Sequence, residues 1–226
     1  MWKLRQQMIF FALFVILPVD LANTINCAAN NYMDNVTGKI KRNLVKSGGV
    51  FLSLDNFLFT VSDRDTEVLI EGIFGFLEGV TTRLTRYGNC PRHYKEFGKI
   101  VASCLLSISG ATLRYKIVSA VTYNGTRKGS ATYDISVNIA MSRLTLETTQ
   151  QEDSDGRAAV SLFTLDRIDF DSPVVPDYER HHALGLFLPK YTKNIFQVRV
   201  RNAVTYGKVL QAVEKAVADT QIPAPN

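Results

Sequence analysis

The sequence predicts an α+β domain in which a long, curved antiparallel sheet is wrapped on an N-terminal helix and a long C-terminal helix. Three observations lead to this class: a helical repeat of apolar residues after residue 30, a series of long alternating segments, and an extended amphipathic stretch near the end. With 226 residues, 46% of them apolar and 21% charged, the chain has the composition of a globular protein. Disordered, collagen-like and disulfide-dense mini-protein classes are therefore excluded.

Residues 1–22 have the pattern of a secretory signal peptide. Lys3 and Arg5 precede an apolar run from Met8 to Val19. This run is too short to cross a hydrocarbon layer about 30 Å thick as a helix. We therefore predict cleavage between residues 20 and 30 and an extracellular, secreted protein. The remainder is predicted to form a single domain over 30–220 and a flexible tail over 221–226.

Two helices are predicted from apolar spacing. Over 30–46, apolar residues recur every three or four positions until Ser47-Gly48-Gly49 ends the pattern. A second, continuous helix is predicted from about Lys190 to Thr220, with a length of about 45 Å. Its apolar stripe consists of Phe196, Val200, Ala203, Val204, Gly207, Leu210, Val213 and Val217.

From about residue 80 up to the second helix, the sequence has the pattern of β-structure. Residues 50–78 are apolar and rich in Phe, and their pattern does not separate into individual elements. Strands are predicted over 81–87, 111–123, 130–149 and 157–170, with a turn over 124–129. The alternation slips at Ser142-Arg143, which predicts a β-bulge. Strands of this length curl, and the helices are expected to cover their apolar face.

Two of the three cysteines are predicted to form a disulfide. Cys27 lies in the cleavage zone, whereas Cys90 and Cys104 lie symmetrically about Phe97. A three-residue loop, Glu96-Phe97-Gly98, would place the two cysteines opposite each other on one face of a hairpin. Disulfides are the usual state of such pairs in secreted proteins, and two buried free thiols are the alternative.

Charge is distributed unevenly. Residues 80–128 contain nine basic residues and one acidic residue, whereas residues 129–189 contain four basic and ten acidic residues. The two segments could neutralise each other in the fold. Alternatively, a basic surface could bind an anionic membrane, a glycan or a host protein; its members would be Arg83, Arg86, Arg92, Lys95, Arg114 and Lys116. Nucleic acid is not expected as a partner of a secreted chain without a nucleic-acid motif.

Residues 67–89, EVLIEGIFGFLEGVTTRLTRYGN, carry a family resemblance. The glycine–hydrophobic pair Gly75-Phe76, followed by Arg86-Tyr87-Gly88, resembles a strand of the group 7 mite allergens and their secreted arthropod relatives. These proteins look like one half of the tubular lipid-binding fold shared by bactericidal/permeability-increasing protein and juvenile-hormone-binding proteins. The resemblance covers most of 30–220. It implies a non-enzymatic carrier or sensor of lipids, with an apolar groove between the helices and the sheet.

The groove is predicted to bind a chain-shaped apolar ligand through few hydrogen bonds. Its predicted lining residues are Val36, Ile40, Leu44, Leu113, Tyr115, Ile117, Ile135, Val137, Ile139, Phe196, Val200, Val204 and Leu210. The alternative is that these residues pack only on one another as an ordinary core. The sequence does not predict an oligomeric state.

No enzyme, metal or cofactor chemistry is expected. His181 and His182 are adjacent, so on a strand they would point to opposite faces, and His93 has no ligand partner at zinc spacing. Asp166, Asp169 and Asp171 lack the spacing of a calcium loop, and these residues are expected on a solvated strand edge. The glycine and histidine motifs of hydrolases, metalloproteases and phosphate-binding loops are not found in the sequence.

Two sequons predict N-glycosylation, Asn35-Val36-Thr37 and Asn124-Gly125-Thr126. Asn124 lies in a predicted exposed turn, which favours modification. Asn35 lies beside the apolar stripe of the first helix, so its modification is left open.

Overall fold

The computed structural model describes residues 28–63, 65–91, 93–152, 156–172 and 182–224. The predicted leader, Cys27, Arg92 and His181 lie outside these residues. The first helix, α1, covers residues 28–46. The other elements are β1 (Phe51–Leu54), β2 (Phe57–Asp63), β3 (Thr66–Glu78), α2 (Val80–Arg83), β4 (Thr85–Arg86), β5 (Tyr94–Glu96), β6 (Lys99–Ser107), β7 (Thr112–Tyr123), β8 (Thr126–Gln151), β9 (Ala159–Phe170), α3 (His182–Thr205) and α4 (Gly207–Ala218). The predicted α+β class is confirmed.

Strand β8 is the axis of the sheet. It has 26 residues, enough to span about 85 Å if it were straight. Strands β6 and β7 pair in succession along one edge of β8, and β9 pairs along the other edge. Beyond β7 lies β3, which pairs with β1 and β2, and beyond β6 lie β4 and β5. All of these pairings are antiparallel, so the described strands form one long antiparallel sheet.

The sheet is irregular at the place where the pairing partner of β8 changes from β7 to β6. The predicted bulge is present as two register shifts in the β8–β9 ladder, one before Met141 and one after Arg143. Met141 is exposed, and Ser142 takes the inward position. The Ser142 hydroxyl accepts a hydrogen bond from the Ile108 N–H (2.8 Å), and the Ser142 N–H donates to Ser109 Oγ (3.0 Å). Side-chain hydroxyls therefore satisfy backbone groups that lack a strand partner here.

The helices cover the buried face of the sheet. Helices α1 and α4 lie side by side, where Asn43 Nδ2 donates to the Ala212 carbonyl over 3.3 Å. Helix α3 bridges β9 and the β1–β2 corner: Gln197 Nε2 donates to the Ile168 carbonyl (3.0 Å), and Arg199 Nη2 donates to the Asn56 carbonyl (2.9 Å). The core lies between these helices and the sheet.

The predicted continuous C-terminal helix is wrong. It is broken at Tyr206, whose backbone is extended (φ −130°, ψ 174°), and Gly207 then has a left-handed φ of 63°. The break changes the phase of the apolar stripe, so Val209 is buried where Leu210 was expected, and Leu210 is only partly buried. No helix in the described part of the chain has both the length and the apolarity required to cross a membrane.

Three local expectations are also corrected. Residues 81–87 are not one strand, because Val80–Arg83 forms the short helix α2 before β4. The turn predicted over 124–129 is only two residues long, Asn124-Gly125, and β8 begins directly after it. The predicted flexible tail over 221–226 is described as far as residue 224, and there Ile222 is buried and its N–H donates to Gln150 Oε1 over 2.8 Å, which anchors this part.

The cysteine hairpin has a different register from the predicted one. Glu96 pairs with Lys99, so the loop contains two residues, Phe97-Gly98, rather than three. Cys90 lies before β5, yet it is bonded to Cys104 with a Cα–Cα distance of 4.7 Å. The predicted disulfide is therefore confirmed.

Candidate ligand-binding site

The predicted groove residues lie together in one apolar cluster. Twelve of the thirteen side chains are at most 2% exposed, and Leu210 is the exception. They come from α1, β7, β8 and α3, whose inner faces meet in a single core. Where these side chains touch, they pack as an interior, and the accessible clefts lie at its margins.

An aromatic group forms the part of this cluster nearest to those clefts. The Tyr115 and Phe196 rings are stacked, with centroids 5.7 Å apart and planes at 10°. Phe57 meets both rings edge-on, at 5.0 and 5.9 Å, and Phe170 meets Phe196 at 6.1 Å. Phe57 and Phe170 were not among the predicted site residues.

Two glycines in β3 make room for these rings. A Cβ atom at Gly75 would lie 2.2 Å from the Tyr115 ring, and one at Gly72 would lie 2.2 Å from the Phe57 ring. Glycine in a strand interior marks such close approaches. This was the available sequence signal for the aromatic group, because any other residue at these positions would displace the rings.

A first cleft of about 350 Å³ lies between β1 and the junction of α3 with α4. Its apolar lining includes Leu54, Ala203 and Tyr206. Arg199 and Lys208 supply positive charge, although Arg199 is also paired with Asp55 (3.3 Å). Helix α4 begins here without a side-chain cap, so its first N–H groups add the positive end of a helix dipole.

A second cleft of about 190 Å³ opens beside Phe196. Val137, Phe170 and Phe196 form its apolar wall, and Thr192 and Lys193 also line it. Val137 and Phe196 are the predicted groove residues that line this cleft.

The Tyr115–Phe196 pair is in contact with residues of both clefts. Tyr115 donates its hydroxyl to the Asp55 carbonyl (2.8 Å) at the first cleft, and Phe196 forms part of the second. Burial raises the pKa of Tyr115 well above its usual value, an effect that the nearby Arg199 charge partly opposes. The phenol is therefore neutral at physiological pH, and its ring behaves as part of an apolar wall.

The described residues contain no group of three or more His, Cys, Asp or Glu side chains placed to hold a metal ion. His93 is 2% exposed beside the disulfide-bonded segment, and its Nδ1 atom has no hydrogen-bond partner. Asp166 accepts a hydrogen bond from Thr164 Oγ1 (2.7 Å), and Asp169 accepts one from Arg167 (2.8 Å). These carboxylates are therefore engaged by neighbouring strand residues.

The predicted basic surface is largely compensated by acidic residues. Arg86 pairs with Asp34 (3.0 Å), and Arg114 pairs with Glu78 (2.7 Å). Lys95 pairs with Glu152. Of these acidic partners, only Glu152 belongs to the acidic segment 129–189, whereas Asp34 and Glu78 precede the basic segment, so the basic residues are neutralised mainly by the N-terminal part of the chain.

Both sequon asparagines are exposed. Asn124 lies at the tip of the β7–β8 hairpin, whereas Asn35 lies within α1. Thr37, which completes the second sequon, is buried, and its hydroxyl donates to the Met33 carbonyl over 2.8 Å. Glycosylation at either site stays a prediction.

The solved structures that match this chain include two at low sequence identity. Takeout 1 from Epiphyas postvittana matches with a TM-score of 0.41 and 16% identity, covering 76% of this chain and 80% of that one. Lipopolysaccharide binding protein matches with a TM-score of 0.45 and 12% identity, covering 85% of this chain and 38% of that one. No protein-family model matches the sequence, and no curated protein sequence matches it. The group 7 allergen resemblance stays a prediction.

Proposed function

We propose that this protein is a non-enzymatic binder or carrier of an apolar, chain-shaped ligand such as a fatty acyl chain. The observation that supports this function is the contact of the stacked Tyr115 and Phe196 rings with two clefts of about 350 and 190 Å³: Tyr115 is hydrogen-bonded to Asp55 of the first, and Phe196 lines the second. A ligand that displaced the Phe196 ring would open a passage beneath α3 from the second cleft towards Tyr115 and the first cleft. The combined volume lies within the range of roughly 300–1,000 Å³ that small-molecule sites occupy.

The chemistry of the passage suits an acyl chain. Its walls are aliphatic and aromatic, and Tyr115 already uses its hydroxyl on a backbone carbonyl. Each methylene moved from water into such an interior contributes about 0.8 kcal/mol. A long alkyl chain would therefore gain enough to displace the Phe196 ring without any directional hydrogen bond.

The first cleft is the proposed position of a negatively charged headgroup. Arg199, Lys208 and the N-terminus of α4 place positive charge at its mouth. A fatty acid would then lie with its carboxylate in the first cleft and its tail towards Phe196 and the second cleft.

Filling the first cleft tests the proposal. Ala203, on the partly buried side of α3, is replaced by Trp, and binding of a fluorescent fatty-acid probe is measured. We expect at least a tenfold weaker affinity, because the indole would occupy the space of the ligand. The matched control is Val198→Trp, since Val198 is 50% exposed on the same helix and its replacement leaves the cleft open. Absence of probe uptake by the wild type, or equal affinity of the two variants, would contradict the proposal.

The headgroup orientation has its own test. Arg199→Gln should weaken a fatty acid more than the fatty alcohol of the same chain length, because only the acid carries charge at neutral pH. Equal weakening of both ligands would place the headgroup elsewhere. Native mass spectrometry of the purified protein would reveal any lipid that co-purifies.

We also infer that the protein is extracellular. The supporting observations are the leader pattern over residues 1–22 and the Cys90–Cys104 disulfide, which persists in oxidising compartments. Expression of the full chain in a eukaryotic secretory host, followed by N-terminal sequencing of the medium, should give a start between residues 21 and 31. Retention of the leader within the cell would contradict the inference.

A further inference from the structure

The loop of the β5–β6 hairpin carries an exposed aromatic residue in a left-handed conformation. Phe97 occupies the first loop position with a left-handed φ of 47° and is 94% exposed. A left-handed conformation disfavours an L-residue with a bulky side chain by roughly 1–2 kcal/mol. Because the Phe97 ring is exposed, no burial of apolar surface offsets this conformational cost. The folded state of the isolated chain therefore does not account for phenylalanine at this position.

The same chain shows which residue such a loop favours. The β7–β8 hairpin has the same left-handed pair of backbone conformations, and it carries Asn124-Gly125, the preferred pair for a two-residue loop of this type. Phe97-Gly98 retains the glycine and replaces the favoured asparagine by a large apolar ring. At the first loop position the two loops therefore have the same backbone and differ in the side chain, an apolar ring at position 97 and an amide at position 124.

The Phe97 ring is held on a rigid support. The disulfide between Cys90 and Cys104 closes the base of the hairpin, and the Glu152 N–H donates to the Gly98 carbonyl over 3.0 Å. The Lys95–Glu152 ion pair adds a second link to the end of β8. The tip thus keeps its position relative to the long sheet.

The residues around the tip match a membrane–water interface. Tyr94 is 47% exposed, and Tyr side chains are enriched where one end of the ring is apolar and the other is hydrated. Lys95 and Lys99 are balanced by Glu96 and Glu152. Among the described residues of the tip these charges cancel, so its attachment does not require an anionic surface.

We propose that the Phe97-Gly98 tip inserts the Phe97 ring into the interfacial region of a lipid bilayer, and that a neutral phosphatidylcholine surface is sufficient. A protein partner fits less well, because a specific protein interface buries about 800 Å² on each side, far more than one ring and its neighbours offer. A bilayer accepts a single ring without a matching surface. This docking goes beyond ligand binding and does not depend on it.

The Asn124 sequon lies at the end of β8 opposite the Phe97-Gly98 tip, so a glycan there would not obstruct contact of the tip with a bilayer. Gly98 and Lys99 lie beside the last residues of β8, whereas Asn124-Gly125 directly precedes its first residue. A glycan at Asn124 would therefore project from the end remote from the membrane.

A tryptophan at position 97 would report insertion directly. The sequence has one tryptophan, Trp2, so the full chain carries Trp2→Phe together with Phe97→Trp. On addition of phosphatidylcholine vesicles, we expect a blue shift of the indole emission and protection from an aqueous quencher. The matched control is Phe74→Trp, because Phe74 is 73% exposed with a φ of 53° but lies on β3, away from the tip. The control should show neither change.

A second variant measures the contribution of the ring. Phe97→Asn installs the favoured loop pair, so folding is preserved, and the vesicle partition coefficient should fall about tenfold or more. Far-ultraviolet circular dichroism should match the wild type. Unchanged partitioning of this variant, or equal blue shifts at positions 97 and 74, would overturn the proposal. A shift that follows protein concentration without vesicles would also overturn it, since the ring would then contact a second copy of the chain.

Discussion

The two hairpin tips have the same backbone and different chemistry. Each has φ values of 47° and 72° at its two loop residues, Asn124-Gly125 in one and Phe97-Gly98 in the other. The first loop is stabilised by residue choice, since asparagine tolerates the left-handed conformation, and by a hydrogen bond from the Asn124 N–H to the Asp65 carbonyl (2.9 Å). The second is stabilised from outside, by the disulfide and the contacts of Glu152. A cross-linked hairpin can thus carry a residue that its loop disfavours.

Among the variants that compare the two tips, removal of the disulfide should lower the free energy of unfolding most. The double variant Cys90→Ser, Cys104→Ser should lower the free energy of unfolding by about 3 kcal/mol, because the unfolded chain regains the entropy of the closed loop. Urea denaturation measures this loss, and reduction of the wild type should reproduce it. A loss smaller than about 1 kcal/mol would show that the ladder and ion pair alone hold the tip.

The two loop glycines provide a symmetric test. Gly98→Ala and Gly125→Ala should each destabilise the protein by about 1 kcal/mol, because alanine is strained at a φ of 72°. No atom lies within 4 Å of the added Cβ at either position, so the cost is conformational in both. Clearly unequal losses in thermal unfolding would mean that the two loops are not equivalent.

Exchanging the residues at the first loop position should have a smaller effect of opposite sign at the two tips. Phe97→Asn should raise the free energy of unfolding by about 0.5–1 kcal/mol, and Asn124→Phe should lower it by a similar amount. Both changes occur at exposed positions, so packing contributes little. If Phe97→Asn destabilises the protein, the ring makes a stabilising contact within the chain, and the comparison fails.

The smallest effect on stability is expected from the sequons. Asn124→Gln should remove one glycan, visible as a loss of mass in protein from a glycosylating host, with a stability change within about 0.5 kcal/mol. Asn35→Gln should leave the mass of glycan unchanged, because Thr37 is buried and its hydroxyl is engaged within α1. A glycan lost from both variants would show that α1 is accessible to the modifying enzyme before it folds.

Regular periodicity made much of the fold predictable. The buried positions of α1 and β7 follow directly from spacings of 3.6 and 2, as Ile40 and Leu113 illustrate. The break at Tyr206 was not predicted because Gly207 fits the helical stripe, and a single glycine does not reveal that its φ is positive. The loop register was missed because Cys90 lies outside the β5 ladder, so symmetry about Phe97 did not report strand pairing.

The sequence predicted which residues face the core more completely than it predicted which of them line a cleft. Alternation identified inward residues such as Val137, but it does not distinguish packed core from the wall of a cleft. Cleft position depends on where α3 crosses the sheet, which is set by contacts far apart in sequence, such as that of Arg199 with the Asn56 carbonyl. Gly72 and Gly75 were the local signal, since strand glycines mark the close approach of the aromatic rings.

The pairing of β8 also determines which backbone amides are best protected from exchange with solvent. Between Leu144 and Thr149 both edges of β8 are paired, with β6 on one side and β9 on the other. Their amide protons should therefore exchange with solvent only when the whole sheet unfolds. Most pairs of the β6–β8 ladder join residues roughly forty to fifty positions apart, and such distant pairing makes folding slow. Hydrogen exchange should thus find the slowest amides of β8 between Leu144 and Thr149 and faster exchange near Thr126, where only β7 pairs with it.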